Sequence, residues 1–237
     1  MPETNMYPDT ATYNPFAGCL YSCKYCKPSF QRQLKRVARH IGCQDCYNYT
    51  PHIHPERLGR IPSAPNIFVA GTGDITFCHP NYVKRIFKSI ENHKPRKPKT
   101  YLFQSKNPVC FKQYLPWFHM NVDRVILLTT LETNRDQGYR LISKAPLPSV
   151  RFLDFHALDY PRKVVTVEPV MDFDHDRMVE MMLDLKDQGS LLYVWFGYDS
   201  KRCGLPEPSA KKAQRLVDAL KGYGIEVRGK TLRGVKV

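Results

Sequence analysis

The sequence predicts an α/β protein built on a parallel sheet. From Ala64 onward, short β-branched and aromatic runs recur, amphipathic stretches lie between them, and the connections are short. Strands are expected at 66–70 (NIFVA), 100–104 (TYLFQ), 124–130 (RVILLTT), 164–168 (VVTVE) and 191–196 (LLYVWF), with a further one at 11–17 (ATYNPFA). Helices are expected at 27–40, 81–92, 174–188 and 209–222. In the last, Ala213, Leu216, Val217 and Leu220 repeat at helical spacing, Pro208 and Ser209 mark its start, and Gly222 or Gly224 its stop. Strand–helix alternation implies right-handed parallel crossovers. Six such units are too few for a closed eight-stranded barrel and suit a partial barrel or an open sheet. In either, the active site belongs at the carboxyl ends of the strands. Residues 42–65, rich in proline and holding Cys43, Cys46, His52 and His54, break the alternation and read as an irregular insertion after the first helix.

The 237 residues, 42% hydrophobic, suit one domain over 1–237. No apolar run approaches the roughly 20 residues that span a bilayer. Residues 1–14 lack a basic segment followed by an apolar one, so no secretory signal is expected and a soluble cytoplasmic protein is the default. Thirty-six basic against 22 acidic residues give a net charge of +14, with local density at 31–40 and 93–99. Such an excess favours an anionic partner, nucleic acid first, although an ordinary surface that happens to be basic has equal standing.

Five of the eight cysteines fall between positions 19 and 46, a density that in a cytosolic chain points to metal rather than disulfides. Cys78, Cys110 and Cys203 stand alone and are expected to be small buried apolar groups. Cys19, Cys23 and Cys26 have the spacing C-x3-C-x2-C, with Tyr25 before the third. Three thiolates this close hold three irons of one cubane and leave a fourth open to a small molecule. The competing reading is zinc, for which Cys43 or Cys46 would supply the fourth ligand. The C-x2-C…H-x-H arrangement of Cys43, Cys46, His52 and His54 also allows a separate zinc site or part of a second iron–sulfur cluster, though its H-x-H gap is shorter than finger spacing.

The first of these motifs resembles that of the radical S-adenosylmethionine (radical SAM) enzymes. The resemblance implies a partial (β/α)6 TIM-like barrel. It also implies a 4Fe–4S cluster whose open iron binds the amino and carboxylate groups of S-adenosylmethionine, and an electron donor such as a flavodoxin or ferredoxin. Reductive cleavage would release methionine and a 5′-deoxyadenosyl radical. The cofactor would further meet Gly71, Thr72, Gly73 and Asp74 after the second strand, Ser105 and Lys106 after the third, Glu132 and Asn134 after the fourth and Glu168 after the fifth. For the carboxylates the alternative is a helix cap or a surface charge. Lys106 and Arg135 suit a cofactor carboxylate or a phosphate, Lys230 and Arg233 an anionic substrate. Tyr198, after the sixth strand, is a candidate hydrogen donor, with plain packing as the alternative. More narrowly, N-P-F-x-G-C (14–19), H-P-E-R-L (54–58), L-E-T-N-R-D (131–136), V-E-P-V-M-D-F-D (167–174) and K-T-L-R (230–233) are similar to a phage and microbial subgroup near the spore photoproduct lyases. Lys27 stands where that subgroup has tyrosine.

Three functions follow. The first is a radical SAM enzyme acting on nucleic acid, in modification or repair. The second is the same chemistry on a metabolite or peptide. The third is a zinc-dependent nucleic-acid-binding protein without catalysis.

Overall fold

The structure, a computed structural model, describes Tyr7 and residues 9–237; the remainder of the N-terminal stretch read for a signal lies outside the described residues. Its main sheet has seven strands in the order β1-β4-β5-β6-β7-β8-β9. These are β1 (Thr10–Tyr13), β4 (Asn66–Val69), β5 (Thr100–Gln104), β6 (Val125–Thr130), β7 (Lys163–Val167), β8 (Leu191–Phe196) and β9 (Val227–Gly229). The register is parallel at β1–β4, β4–β5, β6–β7, β7–β8 and β8–β9. This is the expected α/β class, a partial TIM-like barrel. Every residue of β6 and β7 is buried, as strands covered on both faces require.

The expectation differs from the structure at several places. Strand 11–17 is two strands: β1 ends at Tyr13, Asn14 and Pro15 turn the chain, and β2 (Phe16–Ala17) pairs antiparallel with β3 (His52–Ile53). Proline cannot donate to a ladder, so the run breaks there. The first helix opens as a π-type turn over Lys27–Gln31 and becomes α-helical only as α1 (Arg32–Ile41), ending on Gly42 at φ 65°. The insertion is not wholly irregular, because it holds α2 (Gln44–Asn48) and β3. Sequence patterning does not register β9, which is three residues long and has one buried side chain.

The chain packs as two compact units. The first joins the residues up to Ser22 with Cys26–Ser105 and Pro116–Ile126. Its α3 (Pro80–Asn92) starts on a proline, is capped by His79 and buries Tyr82, Val83, Ile86, Phe87 and Ile90 at helical spacing. Short α4 (Leu115–Met120) brings Trp117 flat against Phe87, ring centroids 3.9 Å apart. The second unit joins Cys23–Tyr25, Lys106–Leu115 and Leu127–Val237. It holds α5 (Pro148–His156), α6 (His175–Asp187) and α7 (Ala210–Gly222), the last capped by Ser209, whose hydroxyl accepts from the Lys212 amide at 3.2 Å.

In the first unit the loop after β1 docks on the loop after β4 through a parallel bridge between Gly18 and Gly73. The Gly18 amide donates to the Thr72 carbonyl and the Asp74 amide to the Gly18 carbonyl, both at 3.2 Å. A Cβ on Gly73 would lie 2.6 Å from the Gly18 oxygen, so this glycine is required by backbone against backbone. Gly73→Ala is expected to lower unfolding free energy by roughly 1–3 kcal/mol in urea denaturation, whereas Gly59→Ala, in open space, should stay within about 0.5 kcal/mol.

Candidate functional site

The carboxyl ends of the strands carry the polar residues singled out by the sequence. In the first unit, β4 runs into Ala70, Gly71, Thr72, Gly73 and Asp74. The Thr72 amide donates to the Asn14 side chain at 3.2 Å, while its buried hydroxyl has no partner among the described residues. Asp74 caps the short turn Ile75–Phe77 by accepting from the Thr76 amide at 3.1 Å, and it accepts from the Ser105 hydroxyl at 2.6 Å. Asp74 and Ser105 are therefore together at the ends of neighbouring strands, with the cap and the candidate site role held by one carboxylate.

Cys19 and Cys26 are half-buried in the first unit, and no disulfide engages any cysteine. The Cys19 sulfur accepts from the Tyr21 amide at 3.4 Å. In the second unit Cys23 is buried, and its sulfur lies 3.0 Å from the Ser143 hydroxyl. The Lys24 amide donates to the Ile142 carbonyl at 3.0 Å. Of the isolated cysteines, Cys78 is buried as expected, but Cys110 and Cys203 are only partly so.

The second unit centres on Glu132, which has no exposed surface. Oε1 accepts from the Lys106 ammonium and the Tyr25 hydroxyl, and Lys106 also donates to Tyr25. Oε2 accepts from Arg151 Nη1 at 2.9 Å, and the Tyr139 hydroxyl lies 3.1 Å from Oε1. Burial opposes a charge on Glu132, but Arg151 and then Lys106 outweigh it and hold the carboxyl far below its ordinary range. Burial likewise opposes the charge on Lys106, yet Glu132, Tyr139 and Cys23 raise it above its ordinary value. Burial first and Glu132 second push the Tyr139 phenol up to about 12. Two cations face one carboxylate, and Nε and Nη2 of Arg151 lack hydrogen-bond partners among the described residues. The guanidinium instead lies over the Tyr139 ring, 4.8 Å from its centroid.

Tyr139, Ser143 and Arg151 are absent from the sequence reading. Only Arg151 leaves a signal there: it takes an apolar-face position on α5, which otherwise buries Pro148, Phe152 and Phe155.

Other residues are engaged elsewhere. Asn134 clasps Asp174, donating to its carbonyl at 2.8 Å and accepting from its amide at 2.9 Å. Arg135 is paired with Asp172 and Asp174, and Arg233 with Glu207. The buried Tyr198 hydroxyl donates to the Pro208 carbonyl at 3.3 Å. Glu168 accepts from Trp195 Nε1 at 2.5 Å, and its carboxyl is pushed up to about 7 by burial, against the pull of Trp195 and Lys230. Four of the five stretches that resemble the lyase subgroup mate in pairs. His54 and Arg57 donate to the carbonyls of Pro15 and Asn14, at 2.6 and 3.2 Å. The Met171 amide donates to the Glu132 carbonyl at 2.7 Å, and the Thr133 hydroxyl to the Asp172 carbonyl at 2.6 Å.

Glu132→Gln leaves two buried cations facing a neutral amide and is expected to cost about 3–5 kcal/mol of stability, read from the urea midpoint. Glu168 gives a pH signature. Its folded pKa lies above the ordinary 4.5, so the folded state binds that proton more tightly and stability falls as pH rises from about 4.5 to about 7. Glu168→Gln keeps an acceptor for Trp195, and the difference between wild type and variant should carry that slope; parallel pH profiles would contradict it.

No protein-family model matches the chain, and no curated protein sequence matches it. Among solved structures it is similar to a mutant spore photoproduct lyase, at TM-score 0.58 and 11% identity over 92% of this chain and 75% of that one. It is also similar to anSMEcpe with bound AdoMet and a peptide, at TM-score 0.49 and 11% identity over 95% of this chain and 64% of that one. At this identity the likeness is one of fold, and the fold is that of the spore photoproduct lyase.

Proposed function

We propose that the chain is a radical SAM enzyme whose substrate is a nucleic acid. The observation that carries this is the C-x3-C-x2-C segment following the first strand of a sheet with the spore photoproduct lyase fold. Cys19, Cys23 and Cys26 would hold three irons of a 4Fe–4S cluster, leaving the fourth to the amino and carboxylate groups of S-adenosylmethionine. When bound, a reduced cluster would pass one electron to the sulfonium of S-adenosylmethionine, so that methionine would leave and a 5′-deoxyadenosyl radical would be available to take hydrogen from the substrate.

The chain's own residues suit this role. Tyr25, between the second and third cysteines, is pinned by Glu132 and Lys106. The buried surplus of positive charge in that network lies beside Cys23 and would be compensated by an anionic thiolate-bound cluster. The Thr72 hydroxyl and the Gly71 backbone would offer polar groups to the cofactor's methionyl part, with Asp74, Ser105 and Glu168 at strand ends, while Asn134 is held by Asp174. The net charge of +14 supports a polyanionic substrate. The electron would come from a flavodoxin or ferredoxin. Among the described residues no helix is long and apolar enough to cross a membrane.

Protein purified and reconstituted without oxygen is expected to carry about four irons per chain. With S-adenosylmethionine and a reductant it should release 5′-deoxyadenosine, and Cys23→Ala should abolish that release. Iron-free protein, or undiminished release from the variant, contradicts the assignment. Binding to DNA or RNA should weaken steeply as salt rises, and a flat salt response would exclude phosphate contacts.

A further inference from the structure

We propose that Cys43, Cys46, His52 and His54 form a structural zinc site that braces the backbone at Cys19. The four donor atoms lie within 4.8 Å of one another. His52 Nε2 is 3.4 Å from the Cys43 sulfur and 3.2 Å from the Cys46 sulfur, His54 Nε2 is 3.2 Å from the Cys46 sulfur, and the two nitrogens are 2.8 Å apart. Two sulfurs and two nitrogens converging this closely surround one tetrahedral ion.

The outer contacts decide which nitrogens point inward. His52 Nδ1 lies 2.7 Å from the Thr50 carbonyl, which can only accept, so Nδ1 carries the hydrogen and Nε2 presents a bare lone pair. His54 Nδ1 lies 2.9 Å from the Glu56 carboxylate, with the same consequence. Both imidazoles are thus oriented by a carbonyl or carboxylate behind them, as zinc-bound histidines are. Two nitrogen lone pairs that face each other at 2.8 Å repel, and thiol hydrogens, being weak donors, relieve them poorly. A divalent cation relieves all four donors at once, and the two thiol protons pass to solvent.

Local structure explains the spacing. Cys43 caps α2 and accepts from the Cys46 amide at 3.3 Å, so both sulfurs sit on its first turn. His52 lies in β3 and His54 two residues on, and alternation along an extended strand sends both side chains to one face. The short H-x-H gap is therefore a strand's spacing where a finger uses a helix's. Four protein ligands leave no open position, so the site is structural rather than catalytic. A two-iron cluster would place bridging sulfides between the cysteine and histidine pairs, and His52 is too close to both sulfurs for that.

The site is tied to the proposed cluster loop. Cys46 is fully buried among Ala17, Leu34, Ala38 and Tyr49, with Cys19 packed against the same group. The Cys19 amide donates to the Tyr49 carbonyl at 3.2 Å. A Cβ on Gly18 would stand 2.1 Å from the Thr50 carbonyl oxygen, the atom that also orients His52.

Iron and zinc are counted separately on the full chain by plasma mass spectrometry, which keeps this proposal distinguishable from the enzyme reading. One zinc per chain is expected in the wild type and in the Cys19→Ala/Cys23→Ala/Cys26→Ala variant, and none in Cys43→Ser/His54→Ala. Zinc missing from wild type grown with zinc, kept by the ligand variant, or lost from the triple variant would overturn the site. Should the ligand variant not fold, wild type stripped by a chelator and reloaded with cobalt should give intense tetrahedral d–d bands with thiolate charge transfer; weak octahedral bands would overturn it. Zinc removal should also speed hydrogen exchange at the Cys19 amide by about tenfold or more, and an unchanged rate would overturn the bracing.

Discussion

The Glu132 carboxylate, with no exposed surface, accepts from an ammonium, a guanidinium and two phenols. Withdrawn from water, such a charge survives only because its lone pairs are filled and two cations stand opposite. Each partner comes from a different stretch of the second unit: Tyr25 from the cysteine loop, Lys106 from the end of β5, Tyr139 from the turn after β6 and Arg151 from α5. Removing the carboxylate would take away the counter-charge of both cations, so these segments are held in one arrangement by the same charge. Tyr25 is the member that lies in the cysteine loop, so fixing it fixes the backbone beside Cys23.

In the first unit the same loop is held by backbone rather than by charge. A Cβ on Gly73 would meet the Gly18 backbone and one on Gly18 would meet the Thr50 carbonyl, so neither position tolerates a side chain. On its other flank Gly18 presses against Thr50, and Cys19 bonds to Tyr49. A glycine-rich stretch after a strand is often read as room for a ligand. Here Gly73 is first of all room for another loop, and the group left without a partner among the described residues is the Thr72 hydroxyl.

The sequence shows the sheet most clearly where strands are buried on both faces. The runs at 100–104 and 191–196 coincide with β5 and β8, whose apolar residues are buried except at the start of β8, where Leu192 is exposed. Legibility fails where the cause lies far along the chain. Arg151 looks like a flaw in an amphipathic helix until Glu132 is placed beside it, and Ser143 has no local mark at all. β2 and β3 are two residues each, too short for any period, and exist because Pro15 turns the chain and the segment at 52–54 returns to meet it. At the candidate site the cysteine spacing and the strand-end carboxylates were readable. The engagement of Arg135 by Asp172 and Asp174, and of Asn134 by Asp174, was not, since those partners lie 37 to 40 residues away.

The proposed function makes one demand of this chain, that three cysteines would hold a cluster with one iron left open. The most direct measurement is electron paramagnetic resonance of the reduced, anaerobically reconstituted protein, recorded with and without S-adenosylmethionine. A 4Fe–4S signal whose g values shift when S-adenosylmethionine is added is the predicted result, because the added molecule would ligate the open iron. A signal unchanged by S-adenosylmethionine, or no cluster signal in iron-loaded protein, would contradict it.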